Sequence, residues 1–419
     1  MDVQALRADT PGCKTVSHLN NAGAALMPTP VLETQIRHLR REAEIGGYEA
    51  KNEAAERIDA VYRSIARLIN CAPDEVALLE NATVAWNAAF TAFRFRPGDR
   101  IVTGEAEYAS NYINYLLARE RHGVEVVAVP SDASGQLDVA QLERLIDERV
   151  KLIAVTHVPT NGGLVNPAAA IGRVAKAAGI PFLLDACQSV GQLVVDVEAI
   201  GCDLLSATGR KYLRGPRGSG FLYVRRALLD KLEPATLDLH AADWVAPDRY
   251  VMRSDARRFE NWEFNFAAVL GLGAAVDYAL ALGMENVENR IKWLGKRLRF
   301  ILSEYAKLPV WDLGEEKCGI VTFTVPDRTA EEVRADLARH RVNVSVSDNA
   351  GTRLDATRRS LPDLVRASVH VYNTEEDEFA RLTKSLRDTR RVITSPEGRG
   401  RAKRGCWGGR PPTASLVPE

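Results

Sequence analysis

Between residues 76 and 207, short apolar runs alternate with helical patterns, and that alternation leaves few folds open. The runs are VALL (76–79), RIVT (100–103), VEVVAV (124–129), KLIAVT (151–156), PFLLD (181–185) and DLLSA (203–207). Helical patterns fall between them near 82–93, 109–121, 138–147 and 167–178. Strands alternating with helices predict an α/β fold with a mainly parallel sheet covered on both faces. The run GFLYVRR at 220–226 follows DLLSA too soon for a crossover helix, so it is expected to pair antiparallel with a neighbour. Upstream, TPVLETQIRHLRREAEIGG has a threonine cap, a first-turn proline and closing glycines, which predict a helix; a second is expected over roughly 51–69.

Beyond an apolar helix near 266–283 the pattern changes. A charged helix, MENVENRIKWLGKRLRFILSEYAKL, precedes GIVTFTV, a helix near 329–340, VNVSV, VRASVHV and a final helix. These predict a smaller α+β unit built on helices and antiparallel strands. The expected layout is an N-terminal segment over 1–30, a large domain over 31–284, a small C-terminal domain over 285–389 and a disordered tail over 390–419. The tail has seven basic residues against two acidic ones. The longest apolar stretch, FAAVLGLGAAVDYALALG, contains Asp277 and several glycines and reads as a buried helix, not a membrane span. With 55 basic and 55 acidic residues, overall charge gives no argument for nucleic-acid or membrane binding. The opening MDVQALRADTPGCK lacks the apolar core of a secretory signal. Cysteines at 13, 71, 187, 202, 318 and 406 include no CxxC pair, which predicts reduced thiols, no zinc site and a cytoplasmic protein.

In open α/β sheets, ligands bind beyond the carboxyl ends of the strands. After VALL, the turn into ENATVAWNAAF leaves the N–H groups of Ala82 and Thr83 free for an anion, although Asn81 also reads simply as a helix cap. Asp185 ends an apolar strand, where an unpaired carboxylate is costly, and Gln188 follows three residues on. Cys187 between them reads as a small core residue. After the next strand comes SATGRKYLRGPRGSG, with Lys211 beside Arg210 among four glycines. A solvated basic turn and a reactive amine are both consistent with that stretch alone. An aspartate and a lysine on one rim are what pyridoxal phosphate requires: the amine bonds the cofactor's aldehyde carbon, and the carboxylate keeps the ring nitrogen protonated. Thr208, Arg210 and the Ala82–Thr83 turn can hold the phosphate, and Arg210 is expected to lower the Lys211 amine's proton affinity. The glycines are expected to let the loop approach a flat cofactor.

The chain resembles the class V aminotransferase family of pyridoxal-phosphate fold type I, the group that includes cysteine desulfurases and isopenicillin N epimerase-like proteins. The resemblance runs from about Leu19 to about Leu386. It is carried by HLNNAGAALMP, DACQ, TGRK, GPRGSGFLYV, RFENWE and VRASVHVYNTEED. It implies Lys211 as the cofactor lysine, Asp185 as the ring-nitrogen partner and Gln188 near the ring hydroxyl. Tyr108, in EAEYASN, matches the residue stacked on the ring; Thr160 or Asn161, in HVPTNGG, contacts the ring oxygen. Arg366 matches the clamp for a substrate carboxylate, and Asn21 is placed with it at the substrate. Members are usually homodimers with shared sites, so the segment around Trp262 and Glu263 is expected to reach the neighbouring subunit. Ala22–Ala25, Tyr48, Tyr108 and the 240–265 segment are expected to define the substrate pocket.

The sequence departs from the desulfurases at Tyr108, where they place a histidine, at Glu263, where they have a threonine, and most decisively on one loop. Their nucleophilic cysteine lies on a small-domain loop before the carboxylate arginine, but here VSVSDNAGTRLDATRRSLPDLVR has none. Cys318, opening GIVTFTV, reads as core. The expected activity is therefore chemistry at Cα or Cβ of an amino acid, with a β-eliminating C–S lyase first, an aminotransferase second and an epimerase third. Arg353 could read a second substrate anion or be a solvated loop residue. A cofactor-binding regulator or scaffold would not need lysine, aspartate and arginine together, and no GxGxxG follows an early strand as a dinucleotide fold requires.

Overall fold

The computed structural model describes residues 1–394. The chain forms a short strand β1 (Ser17–His18), then β2 (Val76–Leu79), β3 (Arg100–Gly104), β4 (Glu125–Val129), β5 (Val150–Thr156), β6 (Phe182–Asp185), β7 (Leu204–Thr208) and β8 (Gly220–Val224). Strands β2 to β8 make one seven-stranded sheet in the order β2-β8-β7-β6-β5-β3-β4. Strands β3 to β7 pair parallel, and β8 pairs antiparallel with both β7 and β2. Because β8 runs backwards between them, β2 ends on the same rim as β5, β6 and β7.

Burial on both faces explains the near-continuous apolar runs. Val102, Ile153, Val155, Leu184 and Leu205 enter the core on one face, and Ile101, Leu152, Ala154, Leu183 and Leu204 that on the other. The alternation is the two-residue period of a strand. The apolar helix Phe266–Leu282 packs on helices Thr29–Ile45 and Ala55–Ile69. Among the described residues no single helix is long and apolar enough to cross a membrane.

A hairpin of β9 (Ala242–Ala246) and β10 (Arg249–Met252) stands apart from this sheet. Downstream, β11 (Ile320–Phe323), β12 (Val342–Asn343), β13 (Ser345–Ser347) and β14 (Leu364–Ser368) follow the helix Met284–Phe300. Three of them form an antiparallel sheet, β11-β14-β13, around a separate core that includes Leu294, Leu298, Ile320, Phe323 and Val365.

Several local expectations need correction. The first long helix is capped by Pro28, not Thr29, whose hydroxyl donates instead to the Asp9 carbonyl at 3.1 Å. The helix expected over 51–69 is two, Gly47–Glu53 and Ala55–Ile69, broken at Ala54. The N-terminal segment pairs with the C-terminal unit: β1 lies parallel to β12, and Asn20 bridges to Ser368. The last helix, Ala380–Thr394, covers the first residues of the expected tail; the rest of 390–419, from residue 395, lies outside the described residues.

His370 ties the loop after β7 to the second core. Its ring stacks between Tyr212 and Tyr372, with centroids 5.6 and 5.3 Å away. Nε2 donates to the Tyr212 carbonyl at 2.9 Å, and Nδ1 accepts from the Val371 N–H at 2.8 Å. Only the neutral Nε2–H form makes both bonds. Burial, and then the Arg214 charge, push its pKa down to about 3; burial also lowers His157 to about 4. In the unfolded chain both titrate near 6.5. The stability they add is present above that value and is lost as pH falls toward the folded values. Unfolding free energy measured against pH should therefore drop below about pH 6.5, and His370→Phe should reduce that slope by up to about 1.4 kcal/mol per pH unit. Equal slopes in the two proteins would contradict this account.

Candidate active site

The rim shared by β2, β5, β6 and β7 opens into a cavity of about 310 Å³. Its wall includes Ala82, Thr83, Tyr108, Thr160, Asp185, Gln188, Thr208, Arg210 and Lys211, so most of the expected site residues converge there. Each is delivered by a strand end. Asp185 is the last residue of β6, Thr208 the last of β7, and Lys211 follows three residues later.

Asp185 is 5% exposed. One carboxylate oxygen accepts from the Cys187 N–H and the other from the Asn111 amide, each at 2.9 Å. Burial raises its pKa, while these donors and the Lys211 charge pull it down. At the start of helix Ala82–Thr91, the Asn81 side chain caps Val84 N–H at 3.0 Å, and the preceding N–H groups of Ala82 and Thr83 have no helical acceptor. Gln188 donates to the Ala22 carbonyl at 3.1 Å, while its buried Oε1 has no partner.

The loop carrying Lys211 is held by the N-terminal strap. Ala25 N–H donates to the Arg210 carbonyl at 3.0 Å, and the Arg210 guanidinium donates to the Gly23 carbonyl. Arg214, with φ +62°, donates to the Leu26 carbonyl at 2.9 Å and lies 4.8 Å from the Tyr372 ring centre. Within the loop, a Cβ on Gly209 would strike the Ser219 hydroxyl, and one on Gly215 would crowd the Gly209 carbonyl at 3.1 Å.

Thr160 and Asn161 separate into different roles. Thr160 lines the cavity and accepts from Arg366 Nη1 through its hydroxyl at 2.7 Å and its carbonyl at 3.1 Å. Asn161 turns to the loop after β13, donating to the Asp348 carbonyl at 2.9 Å and the Thr352 hydroxyl at 2.8 Å, and accepting from Ser347 at 2.7 Å. Arg366, on β14, is buried and outside the cavity lining, with its Nε unpartnered among the described residues.

Other expectations change. Asn21 is fully buried and away from the cavity lining; its amide donates to the Ser368 carbonyl at 2.7 Å, and its oxygen accepts from Tyr372. It fastens the strap to β14. Cys187 is not core: it is half-buried on the cavity wall, and burial raises its thiol pKa against the pull of Lys211. Cys318 is core, with its thiol pushed up to about 11. Arg353 is exposed and outside the cavity. Ala22–Ala25, Tyr48 and 240–265 do not line it either; Tyr48 and Glu263 border a second depression. Asn111, Thr156, Val158 and Arg217 also line the wall, beyond the residues expected from the sequence. For Asn111 a signal existed, a polar side chain one helical turn after Glu107 at the mouth of a strand.

One cavity thus presents an amine, a carboxylate, an unpartnered amide oxygen and a helix N-terminus. These suit the aldehyde, ring nitrogen, ring hydroxyl and phosphate of pyridoxal phosphate. The family model described as aminotransferase class-V matches residues 17–378. A cysteine desulfurase of Pectobacterium atrosepticum is 30% identical, over 94% of this chain and 99% of its own. A probable cysteine desulfurase of Methanothermobacter thermautotrophicus is 29% identical, over 90% and 96%. The apo structure of a cysteine desulfurase from Thermococcus onnurineus superposes with a TM-score of 0.85 at 26% identity, covering 93% of this chain and 98% of that one. With the match spanning both cores and the site between them, the chain belongs to the class V aminotransferase family and is a pyridoxal-phosphate enzyme of fold type I.

Proposed function

We propose that this enzyme cleaves the carbon–sulfur bond of a sulfur-containing amino acid by β-elimination, without a persulfide-forming cysteine. The observation that carries this reading is the state of the thiols. The loop between β13 and β14 has none, and burial raises the pKa of Cys13 to about 11, Cys71 to about 12 and Cys318 to about 11, with Cys187 and Cys202 also raised. Among the described residues no thiol is poised as a thiolate nucleophile. The relatives named cysteine desulfurases support a sulfur amino acid as the substrate class.

Bound pyridoxal phosphate supplies an electron sink for the pair left at Cα. Ala82, Thr83, Thr208 and Arg210 would hold its phosphate, Tyr108 would cover the ring, Gln188 would meet the ring hydroxyl with Thr160 nearby, and Asp185 would face the ring nitrogen. Thr160 occupies one amine of Arg366 and leaves the buried Nε edge for the substrate carboxylate, which neutralises an otherwise unpaired cation. The Lys211 amine would take the Cα proton, the Cβ–S bond would break with its electron pair going to sulfur, which takes up a proton, and the three-carbon enamine left behind would add water to give pyruvate and ammonia.

We also propose a homodimer with shared active sites. Support comes from the β9–β10 hairpin, which exposes Trp244 at 80% and Tyr250 at 61% beside Val245 and Val251.

The visible spectrum of the pyridoxal-phosphate-loaded protein should change on adding cysteine, cystine or a cysteine sulfoxide, with pyruvate released, and Lys211→Ala should lack both the band and the activity. A pyridoxamine-like spectrum without pyruvate would identify an aminotransferase, and racemisation alone an epimerase. By sedimentation velocity the wild type should run as a dimer and Trp244→Asp should shift it toward monomer; a monomeric wild type would refute the dimer.

A further inference from the structure

Asn111 touches the two buried carboxylates of this region at once. Its Nδ2 donates to Asp185 at 2.9 Å and to Glu107 at 2.8 Å, which commits both hydrogens of the amide. Glu107 is 3% exposed, lies outside the cavity lining and forms no ion pair among the described residues. It accepts from the N–H groups of Tyr108 at 2.9 Å and Thr156 at 3.0 Å, from the Thr103 hydroxyl at 2.9 Å and from the Thr156 hydroxyl. Five donors around one carboxyl group favour its charged form. Burial opposes them and lifts its pKa to about 7, with the Asp185 charge adding to the rise. No role described above uses so well-furnished a buried acid.

We propose that Glu107 and Asn111 form a layer behind Asp185 that sets how strongly Asp185 holds a proton at the cofactor's ring nitrogen. Glu107 contributes negative charge close to Asp185, which makes a neighbouring cation easier to keep. Asn111 opposes it, because its N–H stabilises the charged carboxylate of Asp185. Both are positioning residues, since neither needs to touch the cofactor. Other groups face the pair: the Lys211 charge pulls Asp185 down, Cys187 lies beside it, and Tyr115 is fully buried near Glu107 with its hydroxyl driven well up. The inference rests on Asp185 meeting the ring nitrogen and is independent of which reaction follows.

The test uses the holoenzyme loaded with pyridoxal phosphate labelled with nitrogen-15 in the ring, whose chemical shift reports ring protonation across pH. Glu107→Gln removes a charge that is present above about pH 7 and should lower the deprotonation midpoint by about one unit. Asn111→Ala removes a donor from both carboxylates; the loss at Asp185 outweighs that at Glu107, which keeps its four other donors, and should raise the midpoint by about half a unit. Opposite signs are the signature, because general loosening of the site moves both midpoints the same way. A Glu107→Gln midpoint at or above that of the wild type, or an Asn111→Ala midpoint below it, overturns the proposal. Should Glu107→Gln fail to fold, Asn111→Ala decides alone: a rise supports the layer, and an unchanged or lower midpoint overturns it. A wild-type ring nitrogen without a proton throughout would instead overturn the role of Asp185. No substrate is needed, so failure of the lyase reading leaves the result intact.

Discussion

Parallel strands that pair side by side must finish on the same edge of their sheet, and everything chemical in this protein follows from that. Strands β5, β6 and β7 bring Thr156, Asp185 and Thr208 to one rim, and the reversed β8 returns β2 to the same rim with the start of helix Ala82–Thr91. No side chain has to travel far. Lys211, the buried carboxylate of Asp185 and the start of helix Ala82–Thr91 are neighbours because the backbone hydrogen bonds leave them no other place.

A buried carboxylate is the cost of that arrangement. Asp185 is 5% exposed, and its neighbours divide the work of making its burial tolerable. Cys187 N–H and Asn111 supply hydrogen bonds, and Lys211 supplies charge. Burial of an acid without such partners would simply neutralise it. The second core supports the site from above through contacts that are also mostly hydrogen bonds: the strap of residues 17–28, the Tyr212–His370–Tyr372 stack and the bond from Arg366 to Thr160.

Much of this was legible in the chain. The strand runs at 76–79, 100–103 and 151–156 fall within a residue of their observed bounds, because a doubly covered strand has to be apolar throughout. Asp185 and Lys211 stood out for a related reason, as charged residues placed at the ends of such runs. Polar residues whose partners are distant in sequence were harder. Asn21 looked like a substrate contact until its bonds to Ser368 and Tyr372 placed it in the strap. Cys187 looked like filler until the turn after β6 brought it to the cavity wall. Thr160 and Asn161 could not be told apart, because adjacent loop residues point different ways only once the loop after β13 is docked.

By itself the sequence determined the α/β fold with its smaller α+β partner, the pyridoxal-phosphate chemistry and the absence of a cysteine between residues 344 and 366, since each is written in local pattern or residue identity. Tertiary structure alone decided that the N-terminal segment belongs to the second core, that Arg366 keeps one edge unpaired, and that Asn111 joins Glu107 to Asp185. Apart from the Glu107–Asn111 contact, one helical turn apart, those depend on hydrogen bonds between residues tens to hundreds of positions apart, and such pairings leave no periodicity for a sequence to display.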